Sequence, residues 1–229
     1  MQDPSPQTFL NPLPGVVWLL LIPLIGIEAV LLLGENGLLA GISATAAGWR
    51  LEVLARAGFA AELQHWMWET GRSPARVLLR YLSYPFIHAG PLHAGFVAVL
   101  LAALGKSVAG GMRPWPMLAL IVVSVLAGAL AFGAFAAREA WLLGAYPAIF
   151  GLIGAFTWQG WAVARDRAAQ IRAFGLIATL LLARLGFGLM IESGGLWIAD
   201  LAGFAAGFAV TPILMPGGAA RALATLRRR

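Results

Sequence analysis

The chain has 229 residues, 60% of them hydrophobic and only 11% charged, with a mean hydropathy of +0.82. A soluble globular chain is roughly 45–50% apolar and about 25% charged, so this composition points to an integral membrane protein. With no cysteine, disulfides and thiol chemistry are excluded. A net charge of +6 without a basic stripe of interleaved aromatics gives no ground for nucleic-acid binding.

A bilayer core of ~30 Å needs about 20 apolar residues in a helix. The first segment that qualifies is 14–34, after an N-terminal tail of residues 1–13. No Lys or Arg precedes it and its apolar run is too long for a signal-peptide core, so it reads as a retained span. It carries one intramembrane charge, Glu28. Residues 35–85 follow as a long connection. In it Trp49, Leu51, Val53 and Leu54 alternate with Arg50, Glu52 and Arg56, and Leu63, Trp66, Met67 and Trp68 stand beside Glu62, His65 and Glu69. This predicts two short amphipathic helices separated by Gly58. Tryptophan favours the headgroup level, which places the element half-sunk in one membrane interface.

Five more spans are predicted at 86–105, 115–136, 142–163, 173–191 and 197–216, ahead of a basic tail at 217–229 that ends in Arg227-Arg228-Arg229. Arg184 and Asp200 are the charges inside the last two spans. Lys106, Arg113, Arg165, Arg167, Arg172 and Arg221 gather with the terminal arginines on one side. The short loops of the other side hold only Arg138. The positive-inside rule therefore predicts cytoplasmic N- and C-termini. The expected fold is an all-α polytopic bundle of six transmembrane helices, one domain, with an amphipathic outer loop between spans 1 and 2.

Four features, in order, resemble the rhomboid family of intramembrane serine proteases over about residues 14–216. Trp49-Arg50 in the long outer connection is a loose match to that family's Trp-Arg pair. His88 and His93 lead into span 2 as the family's two histidines do, with Val97 where the family has asparagine. Gly144-Ala-Tyr146-Pro147 through Gly151 and Gly154 resembles the segment that opens a helix with Gly-x-Ser-Gly. Ala199-Asp200-Leu-Ala-Gly203-Phe-Ala-Ala-Gly207 resembles Ala-His-x-x-Gly-x-x-x-Gly. The resemblance implies a bacterial inner membrane, a lipid environment and no cofactor. It also implies close approach of spans 4 and 6 at Gly151, Gly154, Gly203 and Gly207, which lack a Cβ.

The same alignment puts Tyr146 at the nucleophile position and Asp200 at the position of the general base. A tyrosine oxygen is displaced by a whole ring from where a serine oxygen would attack. Reference pKa values of ~10 and ~3.9 set about 8 kcal/mol against proton transfer from tyrosine to aspartate. Burial of Asp200 narrows that gap. Val97 removes one oxyanion donor, while His93 matches a second. Ser83, Ser107, Ser124 and Ser193 lie in no Gly-x-Ser-Gly context. His88 and His93, five apart, do not share a helix face, so no metal site is expected.

Charges inside a bilayer are costly and point to function. Asp200 is expected either to accept from Tyr146 or pair with Arg184, or else to face a small water-filled cavity while Arg184 snorkels. The leading function is a rhomboid-like pseudoprotease that binds transmembrane segments of client proteins without cutting them. The alternatives are an active intramembrane serine endopeptidase with a nonstandard site and, more distantly, a polytopic transporter or scaffold. Neither two related halves nor broken mid-membrane helices, both common in transporters, are evident in the sequence.

Overall fold

The computed structural model describes residues 13–190 and 194–218, with side chains for 13–183 and 194–218. The N-terminal residues 1–12, Ser193 and the basic C-terminal tail from 219 lie outside the described residues, as does the side chain of Arg184. Helix α1 (Gly15–Glu35) buries Val17, Leu21, Leu24, Glu28 and Leu31 along one stripe. Those positions repeat at helical spacing, so Glu28 shares the core-facing side with leucines. Then come α2 (Trp49–Ala57), strand β1 (Phe59–Ala60), α3 (Ala61–Thr70) and α4 (Ala75–Ser83), followed by a 3₁₀ turn at Tyr84–Phe86. Helices α5 (Pro91–Ala109), α6 (Pro114–Phe135), α7 (Tyr146–Val163), α8 (Arg167–Ala173), α9 (Gly175–Met190) and α10 (Leu196–Leu214) complete the bundle, with strand β2 (Trp141–Leu142) before α7. Proline stands in the first turn of α5, α6 and α7, where its missing N–H leaves no bond unmade.

Among the described residues four helices, α1, α5, α6 and α10, are long and apolar enough to cross a membrane. They present large apolar side chains outward, among them Phe96, Val99, Leu130 and Ile213. Outward apolar side chains on helices of this length define an all-α membrane fold. Helix α7 is the innermost element, buried without a break from Pro147 to Ala155. It packs against both α6 and α10.

The connection between α1 and α5 departs from expectation in three ways. Its two predicted helices are α2 and α3, divided at Gly58, but their faces differ from the predicted pattern. Arg50 is buried and Leu51 is 75% exposed, because the buried Glu28 and the Glu35 carboxylate at the end of α1 draw the guanidinium inward. In α3 the buried polar side chain is Gln64. Its amide donates to the Leu130 carbonyl at 3.0 Å, and its oxygen accepts from Tyr81 at 2.8 Å. A third helix, α4, was not expected. Finally, β1 and β2 pair antiparallel, with Phe59 opposite Leu142 and Ala60 opposite Trp141. That ribbon and the 3₁₀ turn take up residues assigned to spans 2 and 4, so α5 starts at Pro91 and α7 at Tyr146 rather than at 86 and 142.

Candidate functional site

The site forms where the starts of α5 and α7 meet. The N–H of Gly144 donates to the Tyr84 carbonyl at 3.1 Å, fixing the approach to α7. Gly144 has φ +79°, and a Cβ there would sit 2.7 Å from His93 Nε2 and 3.3 Å from His88 Cδ2. Glycine is therefore required by conformation and by space. Two residues on, Tyr146 opens α7. Its half-buried ring lies over His93, with centroids 5.3 Å apart and planes 19° from parallel. His93 meets His88 edge-on at 5.0 Å and 79°, and its Nδ1 accepts from the Ala89 N–H at 3.4 Å. His88, His93 and Tyr146 thus form one continuous stack of rings.

His88 lies in the turn before α5 and is fully buried. Burial, followed by the neighbouring His93, lowers its pKa to about 4; the Arg50 charge adds to this and a Phe86 backbone contact opposes it. The imidazole is accordingly neutral at physiological pH. Val97, one turn beyond His93 on α5, is buried among apolar side chains and offers no donor.

Asp200 is fully buried in α10, three residues before Gly203 and on the same side of the helix. At Gly203 the two helices touch backbone to backbone: a Cβ there would collide with the Pro147 carbonyl oxygen and lie 3.0 Å from the Pro147 Cα. One turn further, a Cβ on Gly207 would lie 2.6 Å from the Gly151 Cα. One on Gly154 would lie 2.6 Å from the Phe208 nitrogen. Gly151 also faces Ser124 on α6. Gly128 on α6, not singled out from the sequence, lets that helix approach Pro147 and the Ala199 carbonyl. The predicted glycine set therefore joins α7 to α10, and α6 makes the contact three-sided.

The position of Asp200 is felt at Tyr84. Burial pushes the Tyr84 hydroxyl well above its ordinary pKa, and the Asp200 charge raises it further. That hydroxyl donates to the Val125 carbonyl at 2.9 Å. His93, Tyr146 and Asp200 are each engaged by further interactions. The serines described nearby are committed elsewhere. Ser124 donates to the Leu120 carbonyl of its own helix, and Ser83 to the Ala57 carbonyl, both at 2.8 Å.

Behind His88 lies a second polar centre. Arg50 makes two bonds to Glu28, at 2.8 and 3.1 Å, two to Glu35, and one to the His88 carbonyl at 3.0 Å. All five guanidinium N–H donors are used. Trp49 beside it is only half-buried. The intramembrane charge Glu28 thus pairs with Arg50, and the pair holds α1, α2 and the turn carrying His88 in one arrangement. Glu35 was missed from the sequence because it ends an apolar helix, where a lone carboxylate looks like an interfacial residue.

The geometry can stack rings, hold a neutral imidazole and bury a carboxylate. Comparison with curated proteins returns no match. The model of the rhomboid domain family matches residues 75–217, from α4 to the end of α10. That is more than half of the chain, and it includes the ring stack, Asp200 and the glycine contacts. The chain belongs to the rhomboid family.

Proposed function

We propose that this rhomboid-family membrane protein binds transmembrane segments of client membrane proteins and does not cleave them. The observation that carries the reading is the Tyr146 ring stacked on His93. It fills the start of α7, where a nucleophile and a scissile carbonyl would have to meet. Serine catalysis needs a small hydroxyl, a base with a pKa near ambient pH, and oxyanion donors. Here those three places hold a phenol, a buried carboxylate and the apolar Val97. In this reading α7 and α9 complete a set of six spans, and both termini lie in the cytoplasm. The glycine contacts of α7 and α10 keep the family's frame, so the protein retains a surface for transmembrane helices after the chemistry has gone.

The test is a photoreactive side chain placed at Phe96, which is 57% exposed on α5, in full-length protein in native membranes. A discrete adduct with an intact membrane protein is expected, absent when the same group is placed at Val163 on the far end of α7. Adducts of equal yield at both positions, or fragments of the captured protein cut within its transmembrane segment, would overturn the reading.

A further inference from the structure

We propose that α4, with α2 on one side and α3 on the other, carries a binding site for a phosphate ester that bears an ammonium group. The site is separate from the ring stack and independent of the client-binding reading. Two pockets carry the assignment, and Arg80 lines both. The first, of about 710 Å³, is lined by Arg56 of α2 and by Arg76, Leu79, Arg80 and Ser83 of α4. The second, of about 380 Å³, has Glu62 and Trp66 of α3, Trp141 of β2, and Val77 and Arg80 of α4 among its lining residues. Helical spacing puts Arg76, Arg80 and Ser83 on one face of α4. Ser83 donates to the Ala57 carbonyl at 2.8 Å and Arg80 to the Gly58 carbonyl at 3.3 Å, which seats α4 against the end of α2 that holds Arg56. Tyr81 donates to Gln64 at 2.8 Å and ties α4 to α3. Glu62 and Trp66, four apart, share a face of α3. The ribbon brings in Trp141 by pairing it with Ala60, two residues before Glu62.

The charges in this place are unmet. Glu62 and Arg80 line one pocket, yet among the described residues neither makes an ion pair, with the other or with any other group. Arg76 likewise has no carboxylate partner among the described residues, while Arg56 pairs with the exposed Glu52. Opposite charges that share a pocket without meeting suit a ligand that carries both. The planar guanidinium matches a phosphate in geometry and bonds it with charge assistance, which Arg76 and Arg80 provide. An ammonium is drawn to a carboxylate and to the face of an indole, and Glu62, Trp66 and Trp141 provide those. The positions of these residues orient the ligand, with its phosphate at Arg76 and Arg80 and its ammonium past Arg80 toward Glu62. A plain anion would meet the Glu62 carboxylate, and a plain cation would meet Arg80. Phosphoethanolamine and phosphocholine are simple members of the class, whether free or as the headgroup of a glycerophospholipid.

The experiment uses the purified, delipidated full chain in a maltoside detergent, which carries neither phosphate nor charge, and reads binding by titration calorimetry. The probes are two matched pairs: glycerophosphoethanolamine against glycerophosphoglycerol, and lysophosphatidylethanolamine against lysophosphatidylglycerol. In at least one pair the ammonium-bearing probe is expected to bind at least about tenfold tighter than its partner. E62Q should abolish that preference without weakening the partner probe. R76Q/R80Q should weaken both members of the pair at least about tenfold. Because Glu62 is exposed, E62Q keeps the test independent of any loss of stability in R76Q/R80Q. A preference shown by the free esters as strongly as by the lysolipids assigns the site to a soluble ester, and one confined to the lysolipids assigns it to a lipid headgroup. Equal binding within both pairs would leave an adventitious anion patch only and overturn the proposal. A preference that survives E62Q, or no binding by any probe, would overturn it as well.

Discussion

At the scale of single residues, Tyr146 and His88 carry distinct and separable consequences. The Tyr146 ring contributes by stacking and by filling space. Tyr146→Ala should therefore cost about 2 kcal/mol, as expected for a half-buried aromatic, and Tyr146→Phe, which keeps the ring, should cost less. A loss of similar size in both variants would show that the hydroxyl matters more than the ring. His88 makes stability depend on pH. Its pKa falls from 6.5 to about 4 on folding, so between those values the unfolded chain binds more protons than the native one. Stability from this group is complete above about pH 6.5 and declines as the pH drops toward 4, by on the order of 3 kcal/mol. Thermal unfolding from pH 7 to pH 4 should show that decline, and His88→Gln should flatten it.

At the scale of elements, two devices hold the frame, and one was far easier to read than the other. The glycines of α7 and α10 were legible because helical spacing within one apolar segment is local information. Their effect should be specific to position. Gly207→Ala should cost about 1–3 kcal/mol by forcing a Cβ into the Gly151 backbone. Gly95→Ala, where nothing lies within 4 Å, should be neutral or gain up to about 1 kcal/mol from helix propensity. Equal effects in thermal unfolding would remove the close-contact explanation. The Arg50 node was not legible. Its carboxylates lie 15 and 22 residues earlier, and alternation in the sequence put the arginine on the wet face of α2. Removing it leaves Glu28 buried without its partner, so Arg50→Ala should cost about 3–5 kcal/mol. Arg50→Lys should recover only part, because an ammonium offers three donors rather than five. Arg50→Ala combined with Glu28→Gln should be milder than Arg50→Ala alone. The two-residue β1–β2 ribbon escaped notice for a related reason: its strands are too short to show a period and pair across some 80 residues.

At the scale of the whole molecule, a rhomboid-family frame of apolar helices surrounds the site at the starts of α5 and α7. Composition made the membrane setting legible, and the ordered motifs made the family legible. The sequence could not show that Tyr146 lies flat on His93, since two residues 53 positions apart become neighbours only through the packing of α5 against α7. Nor could it show that Tyr84 and Asp200, far apart in the sequence, come close enough to interact. The central claim is that the family's frame persists here without its chemistry. The most direct measurement is incubation of the purified full-length protein, in vesicles, with a transmembrane substrate that active rhomboids cut, read by fragment mass. The account predicts intact substrate at all times, for wild type and for Tyr146→Phe and Asp200→Asn alike. Fragments cut within the substrate's transmembrane segment by the wild type, and lost in either variant, would contradict it.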